Sequence, residues 1–195
     1  MKRVMREYGW VLMVIFFMVM IAVALKIVDE PEKIGAKENP FAIPQEVIDA
    51  AEECGEEFHI CPELLEAIAW HESRYVPTAV NKYGTCFGLM QVKHSAHSGR
   101  MKKLGATDLF DLRSNMRVAA DYLLELAEEY EDMGMVLMTY HGESDAVWKY
   151  ENGILSDYAQ GILDLTEELE YQHGKKEIEK VAHFGFELMW ENGVG

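Results

Sequence analysis

Basic residues are scarce in this chain. Over 195 residues, 18 Lys and Arg stand against 34 Asp and Glu, a formal net charge of −16. Nucleic-acid binding needs cationic surface to displace counterions from phosphates, so the charge balance argues against a DNA or RNA partner. Cysteine is scarce too: Cys54, Cys61 and Cys86 are the three present. An odd count in an extracytoplasmic domain allows one disulfide with one thiol left over, and sequence does not choose among the three pairings. The other reading of Cys54 is a core thiol, because it lies on an apolar helical stripe. Internal repeats and low-complexity tracts are lacking. No Gly-rich phosphate loop follows a strand, and Gly142-Glu143-Ser144 lacks the order of a nucleophile elbow. His71-Glu72 begins like a zinc-protease helix, but the second histidine that motif needs four residues on is replaced by Tyr75. His94 and His97 are three apart with no cysteine or carboxylate pattern to complete a site. No metal and no cofactor is expected.

Charge is also missing from one long run. Lys2, Arg3 and Arg6 precede an apolar stretch from Tyr8 to Leu25 that no charged residue interrupts. As a helix it spans about 27 Å, close to the thickness of a bilayer core. Its basic flank predicts a cytoplasmic N-terminus and a single-pass anchor in the cell membrane, with the rest of the chain extracytoplasmic. A cleaved signal peptide is the alternative, since Ala22-Val23-Ala24 fits a small-residue cleavage site and would leave a secreted protein. Residues 26–44 are polar and carry Pro31, Pro40 and Pro44, which predicts an extended spacer. Residues 45–195 are then the functional domain.

Apolar periodicity within that domain is helical. Gln45 to Phe58 carries Val47, Ala51, Cys54 and Phe58 on one face. Asp111 to Glu131 carries Met116, Ala119, Ala120, Leu123, Leu124 and Ala127. Met133 to Tyr140 is a short apolar helix closed by His141-Gly142. Ser156 to Leu169 and Lys175 to Trp190 complete a predominantly α domain. The acidic run Glu125–Asp132 reads as a solvated helix face.

The chemically informative stretch is Pro62 to Val92. Pro62 suits a first helical position, and Glu63 and Glu66 suit the positive end of a helix dipole. Leu64, Leu65, Ile68 and Ala69 form one apolar face, and Glu72 projects from that face one turn further on. An anion at the end of an apolar stripe and at a helix C-terminus is disfavoured, so the setting favours the protonated acid that a proton donor needs. The plain alternative is a glutamate that emerges into solvent as the helix ends.

The segment Ala67 to Val92 resembles the lytic transglycosylase domain of glycoside hydrolase family 23, within a lysozyme-like superfamily that includes goose-type lysozymes. The marks are Glu72-Ser73 at the end of an apolar helix, then Gly88-Leu89-Met90-Gln91. An altered form of Ala-Tyr-Asn-Ala-Gly follows as Thr139-Tyr140-His141-Gly142-Glu143. The resemblance runs from about Glu63 to Leu169. It implies a lysozyme-like helical fold with at most a small sheet, placed in the loop Val76–Gly88.

That resemblance also implies a substrate and a mechanism. The substrate is the glycan strand of peptidoglycan, cut at the β-1,4 bond between N-acetylmuramic acid and N-acetylglucosamine. Glu72 acts as acid and then as base, leaving a 1,6-anhydro sugar. Ser73, Asn81, Met90, Gln91, Tyr140, His141 and Tyr158 are the implied substrate-cleft residues. Met90 is expected in the cleft wall, and Tyr158 is expected to point back toward the acid. His141 stands where the family has asparagine, and Glu143 where it has a final glycine. Two alternatives follow: a goose-type muramidase, which adds water, and a non-catalytic wall-binding scaffold. A hydrolase of that type needs aspartates near the Gly-Leu-Met-Gln turn, and none lies between Ser73 and Thr107. A membrane anchor suits a cutter held beside a wall-spanning machine.

Overall fold

A proline or a short polar residue starts most helices of this protein, and a left-handed residue ends several of them. The computed structural model describes residues 42–175. The anchor expected over residues 1–25, most of the spacer and all but the first residue of the helix expected over Lys175 to Trp190 lie outside the described residues. Every described element belongs to one unit, Ile43–Gly195.

Helix α1 (Gln45–Phe58) follows Pro44 and buries Val47, Ala50, Ala51, Cys54 and Phe58. It stops at His59, whose φ of 56° turns the chain out of the helix. Helix α2 (Pro62–Ser73) starts on its proline, as the sequence predicts, and ends at Arg74 with φ 55°. Between them α1 and α2 set the centre of the domain, and α2 is buried without interruption from Glu63 to Ala69.

After α2 comes the small sheet. Strands β1 (Cys86–Phe87) and β2 (Val92–Lys93) pair antiparallel, with Cys86 opposite Lys93 and Phe87 opposite Val92. Val80 adds an isolated bridge to Phe87. The sheet was expected within Val76–Gly88. Its second strand lies beyond that loop because Gly88-Leu89-Met90-Gln91 is itself the hairpin turn.

Helix α3 (His94–Leu104) and the six-residue α6 (Ala146–Glu151) have no counterpart among the expected elements. The remaining helices do: α4 (Leu112–Glu129), α5 (Met133–His141) and α7 (Asp157–Gln172). Each starts on an oxygen-bearing cap. Asp111 accepts from the Ser114 amide, Asp132 from the Met135 amide and Ser156 from the Ala159 amide. Such caps contribute about 1 kcal/mol each.

Helix α2 packs against α7 and α1, α1 against α4, and α5 against both α4 and α7. Leu64, Leu65, Ile68, Leu123, Leu137, Ile162 and Leu169 are fully buried where these helices meet. Truncating any one of these leucines or isoleucines to alanine removes about 2–5 kcal/mol. All three cysteines are free, so the single disulfide allowed by their number is not formed. Cys54 is buried on the inner face of α1, where burial pushes its thiol up to about 12. Cys61 donates instead to Glu63 at 3.1 Å. No helix among the described residues is long and apolar enough to cross a membrane.

Candidate active site

Burial of the rest of α2 leaves its C-terminal turn at the edge of the core, and a cleft of about 690 Å³ opens there. Glu72 lines it, with its side chain 13% exposed. Asn81, Thr85 and Cys86 from the sheet region line it as well, together with Gln91 at the turn. Tyr122 of α4 and Tyr140, His141 and Gly142 at the end of α5 form the facing wall. Among the residues lining the cleft, Glu72 is the only carboxylate.

Two groups converge on one oxygen of Glu72. The Tyr158 hydroxyl donates to Oε1 at 2.5 Å. His141 Nδ1 lies 3.7 Å from the same Oε1, a contact of charge rather than a hydrogen bond. The Glu72 carboxylate holds the His141 imidazole above its ordinary value, with burial opposing and Glu143 assisting. Burial raises the Tyr158 phenol well above its usual range, and the charge of Glu72 adds to this, so the phenol remains a donor.

Tyr158 is itself gripped by two histidines. His141 stacks on its face, with ring centroids 3.8 Å apart and 20° between planes. His71 meets its edge at 6.0 Å. The room for His71 comes from Gly161 on α7, where an added Cβ would stand 2.7 Å from His71 Cε1. Burial lowers the His71 imidazole, and Arg74 lowers it further, which favours a neutral ring beside the acid.

Gly88-Leu89-Met90-Gln91 is held from three sides. Gly88 adopts φ +79°, and a Cβ there would meet Leu109 O at 2.1 Å and Asn115 Nδ2 at 2.3 Å. Asn115 of α4 is completely buried. Its Oδ1 accepts from the Met90 amide at 2.7 Å, and its Nδ2 donates to the carbonyls of Phe87 and Leu109 at 2.9 and 2.8 Å. Gln91 donates from Nε2 to the carbonyls of Gly88 and Ala79 at 2.9 and 3.3 Å. The third hold is the Tyr140 hydroxyl, which donates to the Met90 carbonyl at 2.9 Å.

The expected cleft residues are therefore used unequally. Asn81, Gln91, Tyr140 and His141 line the cleft with Glu72, and Tyr158 reaches Glu72 from behind. The Met90 side chain is 0% exposed and packs in the core, so only its backbone serves the site. The Ser73 hydroxyl is spent on the backbone, donating to Ala69 O and accepting from the Val76 amide. Asn81 uses Oδ1 to accept from the amides of Thr85 and Cys86, which shapes the lip of the cleft. Asn115, Gly161 and the packing role of His71 were absent from the sequence reading. Asn115 leaves no local signal, because every one of its partners is a backbone group on another element. Among the described residues no three His, Cys, Asp or Glu side chains are arranged to hold a metal ion.

A helical domain with a lone cleft carboxylate at the end of its buried central helix, facing a small hairpin, is lysozyme-like in class. The model of the transglycosylase SLT domain family matches residues 49–178, and the chain belongs to that family. Membership carries a lytic-transglycosylase type of activity on peptidoglycan. No curated protein sequence matches the chain.

Proposed function

We propose that this protein cleaves the β-1,4 bond between N-acetylmuramic acid and N-acetylglucosamine, with Glu72 as acid and then base. The observation that carries this reading is that Glu72 is the only carboxylate among the residues lining the cleft. Glycosidases that bring in water or form a covalent intermediate use two carboxylates flanking the bond. A single carboxylate suffices when the nucleophile is already tethered to the sugar. The next carboxylate along the wall, Glu143, is engaged by Lys149 at 2.6 Å.

The hydrogen bonds support one route for the proton. Tyr158 occupies Oε1, and no hydrogen bond to Oε2 is found among the described residues. In this reading Oε2 is the oxygen that carries the transferred proton. It passes to the bridging oxygen as the C1–O bond breaks. The carboxylate then takes the proton of the C6 hydroxyl while that oxygen closes on C1, so the products carry 1,6-anhydro ends and the enzyme is restored. Asn81, Gln91, Tyr140 and His141 are the proposed sugar contacts. Ser73 serves that wall through the backbone its hydroxyl bonds, and Met90 through its own backbone, which Asn115 and Tyr140 hold. Mass spectrometry of digested peptidoglycan tests the reading.

We also propose that residues 1–25 anchor the domain on the outer side of the cell membrane, beside a wall-spanning machine. The basic flank and the uncharged run from Tyr8 to Leu25 support this.

A further inference from the structure

Residues 73–107 contain six Lys and Arg and no Asp or Glu, in a chain where all 34 acids lie elsewhere. The stretch runs from the end of α2 through the hairpin and α3, so it builds one lip of the cleft. Its cations have different fates. Arg100 and Lys103 pair with Asp121. Arg74 lies over the Trp70 ring and donates to the Trp70 carbonyl. Lys82 and Lys93 take part in none of the ion pairs among the described residues.

Lys93 lines the cleft, and Lys82 stands beside a residue that does. Lys93 lines it directly, opposite Cys86 across the hairpin. The Lys82 ammonium lies 4.8 Å from the ring centroid of Tyr83, a cleft-lining residue that is 73% exposed. Asn81 and Thr85 on this lip bond one another and the loop backbone. What the lip offers to an anionic ligand is two exposed ammonium groups beside an aromatic ring. Screening at physiological ionic strength acts over about 8 Å, so a ligand in the cleft feels these charges rather than the distant acids.

We propose that Lys82 and Lys93 bind free carboxylates on the peptide stems of peptidoglycan, so that the enzyme favours stem-bearing strands over denuded glycan. This rests on the proposed activity toward that glycan. The sugars themselves supply hydroxyl and amide groups, and the stems hang from alternate sugars as the anionic parts of the strand. An overall charge of −16 repels such strands, and an acid-free lip locally reverses that repulsion at the one surface where the strand must dock.

The test uses the full-length protein and peptidoglycan freed of attached wall polymers, either with intact stems or stripped by an amidase. Release of anhydro ends is measured on both, and the ratio of kcat/KM values is taken. Stem-bearing strands are preferred by the wild type. In the Lys82→Ala/Lys93→Ala double variant the ratio falls roughly tenfold, at about threefold for each exposed charge pair. Added salt lowers the wild-type ratio in the same direction. Lys102→Ala, outside the cleft, leaves the ratio in place. In parallel, the Glu72→Gln protein binds stem-bearing strands more tightly than stripped ones without turnover. Equal wild-type rates on the two substrates, or an unchanged ratio in the double variant at unchanged Tm, overturns the lip. Retained binding preference in Glu72→Gln with no anhydro ends from wild type overturns the proposed chemistry and leaves the lip standing.

Discussion

The Tyr158 hydroxyl donates to Glu72 Oε1 across 86 residues of sequence, joining the end of α2 to the start of α7. In the proposed mechanism that bond leaves the other carboxylate oxygen for the substrate. Tyr158→Phe removes the donor and keeps the ring stacked beneath His141. A hydrogen bond to a charged group contributes about 1.5–3 kcal/mol, so kcat should fall about 10- to 100-fold. KM and Tm should change little, because the phenylalanine fills the same space. Steady-state kinetics on purified peptidoglycan checks this, and an unaltered kcat would remove Tyr158 from the account.

Gly88 and Asn115 form the second dependence. A Cβ at Gly88 collides with the Leu109 carbonyl and the Asn115 amide, and its φ of +79° disfavours any side chain. Asn115→Ala leaves the Met90 amide and two carbonyls without partners in a buried site. Each unsatisfied group costs about 1–3 kcal/mol, so Asn115→Ala should lower stability by at least about 3 kcal/mol. Gly88→Ala should be worse, and urea unfolding measures both. Activity should fall with them, since the turn carries Gln91.

Two buried acids on α2 give opposite pH dependences. Burial raises Glu66 from 4.5 to about 7, and its Oε2 has no hydrogen-bond partner among the described residues. Its folded form holds a proton that the unfolded chain releases, so its contribution is full below about pH 4.5 and is lost as the pH rises through about 7. For Glu63 burial acts upward, but Lys175, His173 and Cys61 outweigh it and bring the group to about 2. Its contribution is present above about pH 4.5 and is lost as the pH falls toward about 2. Glu66→Gln should therefore gain roughly 2–3 kcal/mol near pH 8 and almost nothing near pH 4. Denaturant melts at the two pH values test the sign; an equal change at both contradicts it.

Much of this was legible in the sequence. The bounds of α1 and the start of α2 are as the apolar spacing and Pro62 predict, and α4, α5 and α7 depart by a few residues at their ends. These helices bury a stripe, and burial is what periodicity records. Helix α3 buries only Met101, so there was no stripe to see. Helix α6 leaves Val147, Trp148 and Tyr150 exposed and is too short to show a period. Strands of two residues have no alternation to detect. In the site, the motif resemblance singles out Glu72, Tyr140, His141 and Tyr158; the first three line one cleft and Tyr158 bonds Glu72 from outside it. Asn115 was missed because a buried asparagine that bonds distant backbone looks, in sequence, like any polar residue on a helix. Met90 was misplaced for the converse reason: the motif names the residue, while its backbone does the holding and its side chain fills the core.

The proposed anchor makes a prediction of topology. The residues before Tyr8 should lie in the cytoplasm and the domain outside. Protease added to intact protoplasts should remove the domain, and a protected domain would contradict the placement.

The central claim is that Glu72 alone serves as acid and base and that the C6 hydroxyl, not water, closes on C1. Purified peptidoglycan is digested with wild type and with Glu72→Gln, and the fragments are weighed by mass spectrometry. Wild type should give 1,6-anhydromuramoyl ends, lighter than reducing ends by one water. The glutamine variant should give no fragments at an unchanged or slightly raised Tm, since acid and base roles contribute factors of about 10² to 10⁴ each. Reducing ends from wild type, or continued cutting by Glu72→Gln, would contradict the account.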